Sequence, residues 1–102
     1  KGEYSSKEDA LYLETHGSFK GQLYSKPFSY DGSTGTLSYG EERVEMPIKN
    51  GKLHIFIDHE VTEISTDDWK KLASFENGEK RGYDDSIKLT LNETVLKEYI
   101  WR

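Results

Sequence analysis

The strongest local fold signal in the chain is the stretch Arg43-Val44-Glu45-Met46-Pro47-Ile48-Lys49-Asn50-Gly51-Lys52-Leu53-His54-Ile55-Phe56-Ile57-Asp58. Its Asn50-Gly51 dipeptide suits a type I′ turn, because both positions tolerate a positive φ. Pairing outward from this turn sets Ile48 opposite Leu53, Met46 opposite Ile55, Val44 opposite Ile57 and Arg43 opposite Asp58. Three apolar pairs on one face and a cross-strand ion pair predict a β-hairpin over 43–58. Pro47 lacks an N–H and predicts an edge position or a bulge.

Short apolar alternations separated by glycines continue in both directions from this stretch. The chain contains 9 glycines and few stretches of helical periodicity, a pattern typical of many short strands. We expect strands at 10–15, 19–24, 26–30, 36–39, 43–48, 52–58, 60–65, 86–91 and 94–101. The sequence therefore predicts an all-β fold, an antiparallel β-sandwich of the concanavalin-like or jelly-roll type, with residues 1–102 as one domain. Because the chain starts at Lys1 without a Met, we expect either a mature product or a module of a larger protein, and the family resemblance described below favours the module.

One segment, 66–76, departs from the strand pattern. Thr66 can cap a helix, and Asp67 and Asp68 suit the positive end of its dipole. Trp69 and Leu72 would then share one apolar face. The sequence predicts a short helix near 66–76. The alternative is a hairpin over 66–82 that turns at Asn77-Gly78.

Composition and charge exclude several classes of protein. The 102 residues carry 14 Lys+Arg and 19 Asp+Glu, a formal net charge of −5, without the dense basic run of a nucleic-acid binder. No apolar run approaches the roughly 18 residues of a membrane span. The chain has no cysteine, which excludes disulfides and cysteine-bound zinc.

Catalytic and metal-binding patterns are absent or badly spaced. The sequence lacks the nucleophile elbow, the phosphate-binding glycine loop and the zinc-protease motif. Glu60 and Glu63 point to opposite faces of a strand, unlike the paired carboxylates of glycosidases. His54 and Asp58 share a face but lie ~13 Å apart, too far to bind one ion. We therefore predict no catalytic residues, cofactor or metal. The acidic stretch from Asp58 leaves open a weak calcium site, with a solvated acidic face as the alternative.

Aromatic residues make up 13% of the chain and indicate carbohydrate recognition as a third possibility. Exposed rings can stack on sugar faces while polar side chains bind the hydroxyl groups. The candidate rings of such a site are Trp69 and Tyr30, and its candidate polar residues are Asp58, His59 and Glu63. The alternative is that the rings fill the core. The alternation of Val95, Tyr99 and Trp101 on one face of the last strand favours that alternative.

Three stretches of the chain resemble the C-terminal β-sandwich domain of glycoside hydrolase family 32, the invertases, levanases and other fructosidases. These stretches are 53–64, with Asp58 and Glu63 at the acidic positions of the family's motif, 30–38 and 94–101. In that family the catalytic residues lie in a separate propeller, in motifs that this chain lacks. The resemblance implies a non-catalytic accessory module of a bacterial fructosidase-like hydrolase, structural or weakly carbohydrate-binding. Its implied partners are a fructan-like oligo- or polysaccharide and the catalytic domain of the parent enzyme.

A protein-interaction domain is the alternative function. Residues 53–69 contain five carboxylates and no Lys or Arg, so an acidic face over 58–68 would bind a basic partner. Salt would weaken such contacts, because exposed charges are screened over ~8–10 Å. The family resemblance slightly favours a secreted or cell-surface location over the cytoplasm.

Overall fold

The computed structural model describes residues 2–47, 52–93 and 97–101. These residues form eleven strands and no helix, which confirms the all-β class. The strands are β1 Gly2–Ser6, β2 Ala10–His16, β3 Phe19–Leu23, β4 Lys26–Asp31, β5 Thr36–Tyr39, β6 Glu42–Glu45, β7 Lys52–Asp58, β8 Val61–Thr66, β9 Leu72–Glu76, β10 Ile87–Leu91 and β11 Lys97–Ile100.

The strands form two antiparallel sheets, and the predicted β-sandwich is confirmed. The first sheet has six strands in the order β1-β10-β3-β4-β5-β6, and the second has five in the order β11-β2-β7-β8-β9. Strands β3 to β6 and β7 to β9 are meanders, whereas β1, β2, β10 and β11 alternate between the sheets. Within the described ranges there is no helix that could cross a membrane.

The core packs aromatic side chains of the first sheet against mostly aliphatic side chains of the second. Phe28 and Tyr39 of the first sheet meet edge to face, with ring centroids 5.5 Å apart. Tyr39 also meets Phe75 of the second sheet at 5.4 Å, and its hydroxyl donates to the Leu23 carbonyl at 2.9 Å. The buried strand residues of the first sheet are Phe19, Leu23, Phe28, Tyr30, Leu37, Tyr39, Ile87, Leu89 and Leu91. Those of the second sheet include Leu11, Leu13, Leu53, Ile55, Ile57, Ile64, Ala73 and Phe75.

The predicted hairpin over 43–58 is wrong for the residues that the structure describes. Strand β6 pairs with β5, so Val44 lies opposite Leu37 and not opposite Ile57. Strand β7 pairs with β2 and β8 in the other sheet. The apolar faces of β6 and β7 pack toward the same core from different sheets, and alternation alone does not distinguish that arrangement from pairing. The turn at Asn50-Gly51 lies outside the described residues.

The predicted helix over 66–76 is also wrong, because the chain turns sharply there. The Trp69 N–H donates to the Thr66 carbonyl at 2.9 Å, and the Thr66 N–H donates to the Lys71 carbonyl at 3.1 Å. Trp69 has a φ of 61°, in the left-handed region that a right-handed helix does not use. The polar residues that suggested a helix cap stabilise this turn instead.

After the turn the chain forms β9, an edge strand paired with β8. Ala73 and Phe75 point inward and are buried, whereas Leu72 is exposed. This two-residue alternation replaces the helical face, since pairing with β8 supplies backbone partners that a short helix would lack. The hairpin alternative over 66–82 is wrong too, because residues 77–86 form no strand.

Candidate carbohydrate-binding surface

The outer face of the second sheet carries a contiguous group of aromatic side chains. Tyr12 of β2 lies opposite Tyr99 of β11 on one side and Phe56 of β7 on the other. Trp101 follows β11 and stacks with Tyr99, their ring centroids 6.5 Å apart. With Trp69, these residues form what we call the aromatic surface, which lines a shallow groove of about 520 Å³ together with Lys97. We therefore treat this face as the candidate site.

Trp69 reaches this surface from the turn between β8 and β9. Its ring stacks on the His54 imidazole with centroids 4.5 Å apart and an interplanar angle of 14°. It also lies 6.1 Å from Phe56, yet 61% of Trp69 remains exposed. The Thr66 hydroxyl and the Lys70 N–H both donate to the Asp68 carboxylate, at 2.7 and 3.1 Å, and lower its pKa. These bonds hold the turn, and so the indole is fixed while one of its faces stays open to a ligand.

His54 supports Trp69 from below through a network of hydrogen bonds. Its Nε2 lies 2.9 Å from Asp67 Oδ1, and its Nδ1 lies 2.6 Å from the Tyr12 hydroxyl. That hydroxyl also lies 3.1 Å from Glu14 Oε1, and it has only one proton to donate. The imidazole is thus linked to a carboxylate on one side and to a phenol hydroxyl on the other.

The Tyr12 hydroxyl belongs to this network and stays protonated at physiological pH. Burial is the main cause that raises its pKa, to about 12, and the hydrogen bond and charge of Glu14 add to the effect. Lys52 Nζ lies 3.7 Å from the other carboxylate oxygen of Glu14. The polar atoms beneath the aromatic surface are therefore occupied by one another.

The five predicted sugar-binding residues do not form one site. Trp69 lies on the aromatic surface, and Glu63 of β8 stands beside it as the register partner of Phe56. Asp58 ends β7, two residues beyond Phe56 and ~7 Å along the strand, and His59 follows it in the turn to β8. His59 lines a separate polar pocket of about 670 Å³ with Glu60, Asn77 and Lys80, among others.

Tyr30 corrects the prediction most clearly. It is 2% exposed, and its hydroxyl donates to the Met46 carbonyl at 2.7 Å inside the sandwich. Its ring therefore cannot stack on a ligand. Conversely, Tyr99 is 62% exposed, although the alternation of the last strand favoured a place in the core.

Sequence reasoning missed Tyr12, Phe56 and the supporting role of His54. The signal was present, because Tyr12 alternates with the buried Leu11 and Leu13, and Phe56 alternates with buried isoleucines. Successive side chains of a strand point to opposite faces, so an aromatic residue between two buried residues faces outward.

The predicted acidic face over 58–68 is dispersed along β8 and its two turns. Asp67 contacts His54, and Asp68 accepts bonds within its own turn. Across the described ranges, no three His, Asp or Glu side chains converge in a way that could hold a metal ion. The acidic residues therefore support the turns more than they form a common surface.

Comparisons with protein-family models, curated proteins and solved structures give no match for this chain.

Proposed function

We propose that this domain is a non-catalytic carbohydrate-binding module, and that the aromatic surface is its ligand site. The observation that carries this proposal is a contiguous group of five aromatic rings on the solvent-facing side of a sheet, where polar residues are usual. A large apolar patch on an otherwise polar surface marks a binding site. Rings held at fixed angles suit ligands with flat C–H faces, a property of sugars.

The family resemblance of residues 30–38, 53–64 and 94–101 supports an accessory role. On that basis the module belongs to a fructosidase-like glycoside hydrolase, whose catalytic residues lie in another domain. The module would then keep the parent enzyme near a polysaccharide.

Affinity electrophoresis in gels that contain soluble polysaccharides tests the proposal. We expect the protein to be retarded by at least one polysaccharide, and we expect Trp69→Ala or Tyr99→Ala to weaken this binding about tenfold, a loss of about 1.4 kcal/mol. Tyr83→Ala is a matched control, because Tyr83 is 65% exposed but does not line the groove. The proposal would be contradicted if no polysaccharide changed the mobility of the protein while circular dichroism showed that the protein was folded.

The alternative function, a protein-interaction domain with an acidic face over 58–68, has less geometric support. Asp67 and Asp68 already accept hydrogen bonds within the domain, and Asp58 lies on another strand, at the end of β7. If that function held, capture of a basic partner would fall steeply with salt. Charge reversal at Asp58 and Glu60 would abolish capture and leave polysaccharide retention unchanged.

A further inference from the structure

We infer that the aromatic surface binds a neutral polysaccharide of pyranose sugars, whose chain lies flat across strands β11, β2 and β7. This inference rests on the proposed function and specifies its ligand. It differs from the fructan that the family resemblance implies, and it follows from the shape, the polar groups and the charge of the groove.

The shape of the groove favours the interior of a polymer over a single sugar. Tyr99, Tyr12 and Phe56 form one row across three strands, and the outer two strands are about 10 Å apart. Trp101 lies beside Tyr99 and Trp69 lies beside Phe56, so an indole flanks the row near each end. Trp69 is 61% exposed at one end, and at the other end Tyr99 is 62% exposed beside the half-buried Trp101, so no fully buried ring closes the groove. A ligand can therefore continue past both ends of the surface.

The polar groups beneath the rings favour recognition by stacking. The Tyr12 hydroxyl and both nitrogens of His54 already have partners within the domain. A ligand that depended on many hydrogen bonds would have to break these contacts. Pyranose rings with equatorial substituents present flat C–H faces on both sides. Fructans link small furanose rings through exocyclic carbons and present no such continuous face, so the row of rings fits the pyranose chain better.

The charge of the groove favours a neutral ligand. Lys97 is the charged side chain among the lining residues, and its register partner on β2 is Glu14. Glu63 stands on the other side of the surface beside Phe56. A polyanion such as a uronan would need several cations along its length, as polyanion-binding proteins show. One lysine next to two carboxylates does not provide them.

The test compares three classes of probe under identical conditions. The neutral pyranose probes are hydroxyethyl cellulose, mixed-linkage β-glucan and xylan, the furanose probes are inulin and levan, and the anionic probe is polygalacturonate. We expect at least one neutral pyranose polymer to bind about tenfold more tightly than either fructan or polygalacturonate. We also expect this binding to be the same at low and high salt, and free glucose or xylose not to compete with it.

Variants and alternative outcomes make the test decisive. Trp69→Ala and Tyr99→Ala should each lower retention by the pyranose polymer about tenfold, whereas Tyr83→Ala should not change it. Tighter retention by inulin or levan, or salt-sensitive retention by polygalacturonate, would overturn this inference and leave the proposed function standing. Retention by no polymer overturns both. So does concentration-dependent self-association that Trp69→Ala abolishes, because a second copy would then cover the surface.

Discussion

The two sheets of this sandwich use their aromatic residues in opposite ways. The first sheet turns its rings inward, where Phe19, Phe28, Tyr30 and Tyr39 are buried. Its outer face consists of polar or charged residues such as Lys20, Gln22, Lys88 and Thr90. The second sheet fills its inner face mainly with leucine and isoleucine, with Phe75 as its inner ring, and carries its other strand rings on the outer face. The same alternation of strand residues thus builds a core on one side of the molecule and a candidate ligand site on the other.

The contrast shows which aromatic residues the fold itself needs. Burying a ring removes ~150–250 Å² from water, at roughly 25 cal/mol per Å², so the inner rings contribute strongly to stability. The rings outside the second sheet obtain only part of this stabilisation, because Trp69 and Tyr99 stay mostly exposed. Burial therefore accounts for the inner rings but not for the clustering of the outer ones.

The largest predicted effect of this contrast between the sheets is on stability, and it appears when one phenylalanine from each sheet is replaced. Phe28→Ala in the inner layer should destabilise the domain by about 3–5 kcal/mol, because it leaves a cavity between Phe19 and Tyr39. Phe56→Ala on the half-buried outer face should cost only about 1 kcal/mol. Urea unfolding, followed by circular dichroism, measures both values.

For polysaccharide binding, unlike for stability, we expect the informative loss in the Phe56→Ala protein. The Phe56→Ala protein should fold and lose affinity for polysaccharide, because Phe56 connects Tyr12 to Trp69. Equal destabilisation by the two substitutions would mean that both sheets bury their rings to the same extent, and the contrast would fail.

The second-largest effect on stability is expected at His54, the residue beneath the exposed Trp69 indole. His54→Ala would leave Tyr12 and Asp67 without their shared partner and open a gap under Trp69. We expect a loss of stability of about 1–3 kcal/mol and a red-shifted tryptophan emission. His16→Ala, at a more exposed histidine that contacts Glu93, should change neither quantity by much. Unaltered emission in the His54→Ala protein would show that the imidazole does not position Trp69.

The sequence predicts the class of this fold well and its pairing poorly, for a physical reason. Alternation determines which face of a strand is apolar, and the predicted strand at 52–58 coincides with β7. Alternation does not determine which strand lies alongside, because pairing depends on distant partners. Strand β7 pairs with β2, about forty residues earlier, and not with its neighbour β6.

The residues of the candidate site are likewise only partly predictable from local sequence patterns. The sequence predicts an exposed ring at Trp69 as one possibility, but the local pattern predicts the wrong backbone for it, a helix in place of a turn. Tyr30 was misplaced because tyrosine suits both a core and a binding surface, and only the hydroxyl's buried partner, the Met46 carbonyl, distinguishes the two. Tyr12 and Phe56 could have been found from their phase within otherwise aliphatic strands.

A third effect arises at Asp9, between β1 and β2, where the chain crosses from one sheet to the other. Burial alone would raise the pKa of Asp9, but hydrogen bonds from Tyr24, Lys80 and Ser86 outweigh it and lower the pKa from 3.8. A lowered pKa stabilises the folded state above the unfolded pKa, and this contribution disappears as pH falls through the folded value. Because 42% of the Asp9 side chain is exposed, we expect at most about 1 kcal/mol.

Asp9→Asn tests this contribution through its pH dependence. The variant should be less stable than the parent at neutral pH, and the difference should shrink at pH values below 3.8, where the parent's carboxylate becomes protonated. Urea midpoints across the acid range measure the difference. A gap that stays constant with pH would assign the effect to the packing of Asp9 and not to its charge.

The smallest effect is expected on the polar face of the first sheet. Lys20 is exposed on β3, between Thr90 and Ser29 on the neighbouring strands, and no ring lies beside it in that row. Lys20→Ala should therefore change stability by less than about 0.5 kcal/mol and leave polysaccharide retention unchanged. The matched substitution Lys97→Ala, in the groove of the second sheet, should also keep stability but alter the fit of the ligand. If Lys20→Ala weakened retention as much as Lys97→Ala does, the ligand would contact the outer faces of both sheets. The aromatic surface would then not be the specific binding site.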